Sequence, residues 1–265
     1  MPGRKRGPKR RLLILGGTPE AARLARGAIE RFGPGLEVIS SLAGRTKNPA
    51  PIPGRVRSGG FGGPEGLADY LERDAVAFVI DATHPFAATI SAHAGAACDA
   101  KGVPRLMLVR PPWKRQATDR WIEVDTVEAA AEALKRMGRR VFLTVGAGEI
   151  APFGALERHW FLVRLIEAPQ APLPLHRHEV IASRGPFTVA GERELMERHR
   201  IGVLVSKLSG GKATEAKIIA ARARELPVVM VRRPAPAPGA CVETVDEALD
   251  WLDAALGGAA GMRLS

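Results

Sequence analysis

Leu12-Leu13-Ile14-Leu15-Gly16-Gly17-Thr18-Pro19-Glu20-Ala21 reads as a buried strand that breaks at two glycines into a helix, with Thr18 as the N-cap and Pro19 at the first helical position. Glycines at such a turn let the backbone approach a phosphate closely. The free N–H groups and positive dipole end of the following helix favour the anion. The stretch departs from the dinucleotide fingerprint G-x-G-x-x-G, because only Gly16 and Gly17 are present, so a plain tight turn stays open as the alternative.

Outward from this turn, short apolar runs at 12–15, 36–41, 75–81 and 104–109 alternate with helical patterns at 19–32, 64–73 and 85–101. That alternation predicts a parallel, doubly wound sheet. In the first helix Ala21, Ala25 and Ile29 follow at i, i+4, flanked by Leu24, Ala28 and Phe32, an apolar stripe suited to packing on a sheet. A cluster of prolines and charges from Arg110 to Arg120 has the composition of a linker. Beyond it the pattern resumes, with strands expected at 121–124, 140–145, 160–166, 202–206 and 227–231 and helices at 126–137, 191–199, 213–225 and 244–256. Val124-Asp125-Thr126-Val127-Glu128-Ala129 and Val242-Glu243-Thr244-Val245-Asp246-Glu247-Ala248 resemble each other, which reads as reuse of a strand-to-helix turn rather than as a repeat array. The expected organisation is a basic tail at 1–10, a domain at 11–111, a second at 112–257 and a flexible end at 258–265.

The 265 residues are 46% hydrophobic and 25% charged, values of ordinary globular chains, and the apolar runs are far shorter than the roughly 20 residues that span a bilayer. No signal-peptide pattern precedes the first strand, so a cytoplasmic protein is expected. Of the net charge of +11, six positive charges (Arg4, Lys5, Arg6, Lys9, Arg10 and Arg11) precede the first expected strand, leaving +5 for the rest. With 5% aromatic residues and no helix-turn-helix, zinc-finger or RNP-type motif, nothing equips the chain to read nucleic acid. A moderately basic body suits an anionic small molecule. Cys98 and Cys241 have no metal spacing and are expected to be reduced and structural.

Three more segments carry chemistry. Ser40-Ser41-Leu42-Ala43-Gly44-Arg45 follows the second strand, where NAD-specific domains place an acid for the ribose hydroxyls. Here Arg45 and Ser41 fit a 2′-phosphate, or Arg45 is a solvated loop residue. Asp81-Ala82-Thr83-His84-Pro85-Phe86-Ala87 ends a buried strand, where a parallel sheet lines its ligand crevice. His84 is a candidate for orienting substrate or donating a proton, with a helix cap as its bland reading. Val205-Ser206-Lys207-Leu208-Ser209-Gly210-Gly211-Lys212 is a second glycine turn flanked by lysines and a candidate anion cradle. It is no Walker A loop, since Ser206 and Ala213 stand where a glycine and a Ser or Thr are required. Gly146-Ala147-Gly148-Glu149 reads equally as a short turn, and His176-x-His178 as a solvated loop without a third metal ligand, so no metal site is expected. Tyr70 is followed at the fourth position by Asp74, which excludes the Tyr-x-x-x-Lys pair of short-chain dehydrogenases.

In order, Gly16-Gly17-Thr18-x-Glu20-Ala21, Ser41-Leu42-Ala43-Gly44-Arg45, Asp81-Ala82-Thr83-His84-Pro85-Phe86-Ala87 and Lys207-x-Ser209-Gly210-Gly211 resemble the precorrin-6A reductases of cobalamin (vitamin B12) biosynthesis, over about Leu12 to Leu252. The resemblance implies an α/β protein of two Rossmann-like lobes with a cofactor cleft between them. It implies NADPH-dependent reduction of a ring double bond of precorrin-6A, or of its cobalt form in the anaerobic route, to precorrin-6B. The implied cofactor residues are Gly16, Gly17, Thr18, Glu20, Ser41, Leu42, Ala43, Gly44, Arg45, Thr83, Lys207, Ser209, Gly210 and Gly211, with His84 catalytic. Arg115, Arg164, Arg184 and Lys212, with Lys114, are basic residues available to meet the carboxylates of a tetrapyrrole. Other enzymes of the same pathway are conceivable partners. Another NADPH-dependent reductase of a small anionic substrate, or a nucleotide-binding protein without chemistry, stays open as the alternative.

Overall fold

The computed structural model describes residues 9–44 and 51–261, with side chains through 257. The chain forms two compact units, one built from residues up to Arg110 together with those from Ala235 onward, the other from Pro111–Pro234.

The first unit begins with β1 (Arg10–Leu15), α1 (Pro19–Phe32), β2 (Leu36–Leu42), β3 (Arg55–Ser58), α2 (Pro64–Arg73), β4 (Val76–Asp81), α3 (Ala88–Lys101) and β5 (Arg105–Leu108). The second holds β6 (Trp121–Val124), α4 (Val127–Leu134), β7 (Arg140–Thr144), β8 (Trp160–Leu165), β9 (His178–Ala182), α5 (Val189–Arg198), β10 (Val203–Lys207), α6 (Ala216–Ala223) and β11 (Val228–Val231). The chain then returns to the first unit with β12 (Cys241–Val242) and α7 (Val245–Gly261). The sheets run β12-β5-β4-β1-β2-β3 and β6-β11-β10-β7-β8-β9, with every pairing parallel. The first is the doubly wound order 3-2-1-4-5-6, and the second has the same order when β7 is counted as its first strand.

Alternation along β1 explains the layers. Leu12 and Ile14 are fully buried beneath α1 and α7, with Leu24, Ala25, Ala28 and Leu252. Leu13 and Leu15 enter the opposite core, with Leu67 and Leu71 of α2 and Ala94 and Ala97 of α3. A strand covered on both faces has no polar face to show, which is why it reads as an unbroken apolar run. Cys98 lies in the second of these cores, and burial pushes its thiol up to about 11.

Four expectations need correction. The C-terminal segment does not close the second domain: β12 pairs with β5, and α7 packs on α1, because the stripe of α1 needs a second cover. Arg10 and Arg11 belong to β1 rather than to a tail, and Arg11 donates to Glu37 at 2.8 Å and to the Asp74 carbonyl at 2.5 Å. Trp113, expected in the linker, is buried in the core of the second unit. His178 opens β9 instead of lying in a loop.

The resemblance between the Thr126 and Thr244 segments now has a structural meaning. Each is the sixth strand of its sheet followed by a helix that a threonine caps, Thr126 accepting from Ala129 N at 3.1 Å and Thr244 from Glu247 N at 3.2 Å. Truncating Leu252 to Ala, fully buried against β1 and β5 neighbours, should destabilise the protein by about 2–5 kcal/mol. Urea unfolding checks this, and an unchanged midpoint would show that α7 is not part of the first core.

Candidate functional site

The first unit brings three strand ends together. Gly16 N donates to the Ser41 carbonyl at 2.9 Å, joining the exit of β1 to that of β2, and Ala82 N donates to the Leu15 carbonyl at 2.9 Å, joining β4 to β1. The Thr18 hydroxyl accepts from Ala21 N at 3.1 Å, as an N-cap should, and donates to the Ala82 carbonyl at 2.7 Å. Gly16, Gly17, Thr18, Ser41 and Thr83 therefore surround the point where strand order reverses, between β1 and β4. Gly17 has φ +106°, and a Cβ built there would meet nothing within 4 Å, so the turn is open on the side a ligand would use.

Glu20 faces inward to Arg110 at 2.9 Å, both side chains largely buried, and also reaches Arg23 at 3.4 Å. Its carboxylate thus holds the end of β5 against the start of α1. Leu42 is buried, whereas Ala43 and Gly44 are exposed, with Gly44 at φ +72°. Arg45 lies outside the described residues.

Asp81, 3% exposed, accepts through Oδ1 from Thr83 N at 3.1 Å and from the Thr83 hydroxyl at 2.6 Å, and Thr83 Oγ1 lies 3.4 Å from Ser91 Oγ. Helix α3 starts at Ala88, not at Pro85 as the sequence suggested. The reason is a tight turn in which the His84 carbonyl accepts from Ala87 N at 2.7 Å with Pro85 at its second position. His84 is accordingly no cap of α3. Its Nδ1 accepts from Phe86 N at 3.3 Å, which selects the tautomer carrying the proton on Nε2. The ring is half-buried.

In the second unit the carboxyl edge of the sheet is tied down from within. Lys207 Nζ grips Glu149 at 2.7 and 2.8 Å, and Glu149 Oε2 also accepts from Gly146 N at 2.9 Å. A carboxylate of the chain itself thus sits at the first glycine turn of this sheet. The Ser209–Gly211 turn is fastened as well. Arg233 donates to the carbonyls of Leu208 at 2.7 Å and Ser209 at 2.9 Å, and Trp113 Nε1 donates to that of Gly211 at 3.0 Å. Gly210, at φ +65°, allows the approach, since a Cβ there would fall 2.0 Å from the Pro111 carbonyl. These bonds fasten the turn through its carbonyls, whereas a cradle for an anion would use its N–H groups.

Of the basic residues singled out, Arg184 and Lys212 lie on adjoining loops, as Phe187 N donates to the Ala213 carbonyl at 3.2 Å. Lys212 and Arg184 are both exposed, and Arg184 lies 4.0 Å from Glu167. Arg115 is exposed, with Glu123 at 3.7 Å. Arg164 differs: it is 10% exposed, 2.7 Å from the almost wholly buried Glu192, and packed on Phe187 with its guanidinium carbon 4.0 Å from the ring centroid. Sequence reasoning assigned no role to Arg57 or Arg110. Arg57 belongs to a strand too short and polar to announce itself, and Arg110 stood in the presumed linker. Among the described residues no cluster of three His, Cys, Asp or Glu could hold a metal ion.

A parallel sheet in this order, with a capped glycine turn at its switch point, defines a Rossmann-like, doubly wound α/β architecture. The model of the precorrin-6x reductase family, CbiJ/CobK, matches residues 11–253, and the chain belongs to that family. It is 47% identical to the precorrin-6A reductase of Rhodobacter capsulatus, covering 91% of this chain and 95% of that one. It is 26% identical to the cobalt-precorrin-6A reductase of Synechocystis, covering 88% and 92%. A solved structure, the CobK precorrin-6A reductase, superposes with a TM-score of 0.87 at 45% identity over 93% of this chain and 97% of that one.

If Arg164 serves packing, Arg164→Met should cost about 3–5 kcal/mol by stranding the Glu192 carboxylate, and the further change Glu192→Leu should recover most of the loss. Chemical denaturation of the two variants checks this. A single variant of native stability would return Arg164 to the surface groups that could meet a ligand.

Proposed function

We propose that the chain catalyses the NADPH-dependent reduction of a ring double bond of precorrin-6A to precorrin-6B in cobalamin biosynthesis. The observation that carries the reading is the open glycine turn at the switch point of a doubly wound sheet in a chain of this family. The donor set fits a dinucleotide. The Gly17 side of the turn is open to a pyrophosphate, α1 presents its N-terminus beside it, and the end of β2 offers Ser41 rather than an acid. The nicotinamide supplies the hydride, and the conjugated macrocycle accepts it, with one proton completing the reduction.

The chain's own work is binding, orientation and proton supply. Gly16, Gly17, Thr18 and Ser41 would hold the cofactor, and Arg45, three residues beyond β2 in the sequence, is the cation that the sequence alone offers for its 2′-phosphate. Asp81 fixes Thr83, and the turn at Pro85 fixes His84 with Nε2–H as its donor, at the strand end where a substrate would be met. In the second unit Arg184 and Lys212, with Arg115, are cations suited to the substrate's carboxylates.

Relatives named precorrin-6A reductase are 43–47% identical to the chain, against 26–28% for those named cobalt-precorrin-6A reductase, which supports the metal-free macrocycle as substrate. Purified protein given NADPH and precorrin-6A should oxidise the cofactor with a matching change in the tetrapyrrole spectrum, and should turn over cobalt-precorrin-6A more slowly. Absence of NADPH oxidation with either macrocycle would refute the reading.

His84→Asn provides a sharper test of the site. Asparagine can accept from the N–H two residues on, as His84 Nδ1 does, but has no imidazole acid. Turnover should fall by about 10²-fold or more while stability and NADPH affinity hold. A single-turnover rate equal to wild type from about pH 6 to 9 would leave His84 a purely structural part of its turn.

A further inference from the structure

The carboxyl ends of β1, β2 and β3 form one row, with Leu15 paired to Ser41 and Ser41 to Arg57. Strands in such a row are spaced about 4.8 Å apart, so Arg57 stands two strands from the glycine turn, on the β2 side of the switch point. Its guanidinium is tightly held. Nη1 donates to Ser41 Oγ at 2.7 Å and to the Gly59 carbonyl at 3.1 Å, and Nη2 donates to the Gly60 carbonyl at 3.0 Å. Its guanidinium carbon lies over Phe61, 3.8 Å from the ring centroid, and 5.2 Å from that of Tyr70.

What this cation lacks is a counter-charge. Arg110, Arg164 and Arg222 are similarly enclosed, and each faces a carboxylate, Glu20, Glu192 and Asp119 respectively. Arg57 is in ion-pair contact with none among the described residues. The carboxylate that acts on it, Asp74, is shared by Arg55 at 3.7 Å and Arg73 at 3.2 Å. Partial burial lowers the pKa of Arg57, as expected of a cation drawn out of water without a paired carboxylate. Three hydrogen bonds and a ring face keep it in a fixed pose, so an arriving anion would find it already oriented.

We propose that Arg57, together with Ser41, is the recognition site for the 2′-phosphate of NADPH, a phosphomonoester dianion, with Arg57 its principal cation. The proposal rests on the NADPH reading above and makes the choice of NADPH over NADH a property of β3, a strand that a dinucleotide fingerprint does not include. The free Nε–H and remaining Nη2–H of Arg57 can donate to the phosphate oxygens. Ser41 Oγ, accepting from Arg57, has its own proton left to donate.

Binding measured by calorimetry with NADPH, NADH and adenosine 2′,5′-bisphosphate, which has no nicotinamide, tests the proposal without turnover. Arg57→Gln should weaken NADPH and the bisphosphate by about 10- to 100-fold and leave NADH unchanged, with Arg57→Lys in between. Equal weakening of NADPH and NADH, or an unaltered NADPH affinity, would overturn it. If Arg57→Gln lacks a cooperative melting transition, Arg57→Lys and Ser41→Ala decide by the same criterion. A wild-type protein that binds NADPH no more tightly than NADH would overturn the NADPH reading and this proposal together. A wild-type preference that survives loss of Arg57 would overturn this proposal alone.

Discussion

The hydroxyl of Thr18 is the hinge on which the site depends. It accepts from the first turn of α1 and donates to the main chain just beyond β4, so one buried atom joins the helix that would receive a phosphate to the strand end that carries Thr83 and His84. Strand pairing alone leaves the two loops on either side of a switch point free to diverge, because the connections leave to opposite faces of the sheet. The Thr18 bond, with those of Gly16 to Ser41 and Ala82 to Leu15, removes that freedom. A valine of similar shape would fill the space but leave the Ala82 carbonyl unmet and the helix uncapped.

The two units solve the same problem differently. In the first, the glycine turn is open, and the acid that follows it, Glu20, is drawn away by Arg110. In the second, the equivalent turn after β7 is filled by Glu149, which binds Gly146 N and is neutralised by Lys207. A carboxylate in that place satisfies the N–H group that a phosphate would otherwise meet. One glycine turn thus stands open, and its counterpart in the second sheet is met by a side chain of the protein itself.

Much of this was legible from sequence because the central strands of a doubly wound sheet are buried on both faces and read as unbroken apolar runs. β1, β4, β10 and β11 were plain for that reason. The edges were not. Arg55–Ser58 is exposed and polar and Cys241–Val242 is two residues long, so neither offers a period to detect, and with them went the roles of Arg57 and α7. The glycine turn, Thr18 and the Asp81–Ala87 run could be found because their chemistry is local. The capture of Lys207 by Glu149 and of Arg164 by Glu192 joins residues far apart in the chain, and no local pattern announces it.

The sixth strand of the first sheet is supplied by residues that follow the whole second unit, whereas the second sheet takes its sixth strand from residues that precede its other five. During synthesis the inner unit therefore has every residue it needs while the outer one still waits for its last strand and helix. Until α7 emerges, the Leu24 and Ala28 face of α1 has lost one of its covers, an interval in which a nascent chain exposes apolar surface to chaperones and to other chains. The first unit is thereby completed only after the second has been synthesised, and a chain interrupted before β12 and α7 would carry a finished inner unit on an unfinished outer one.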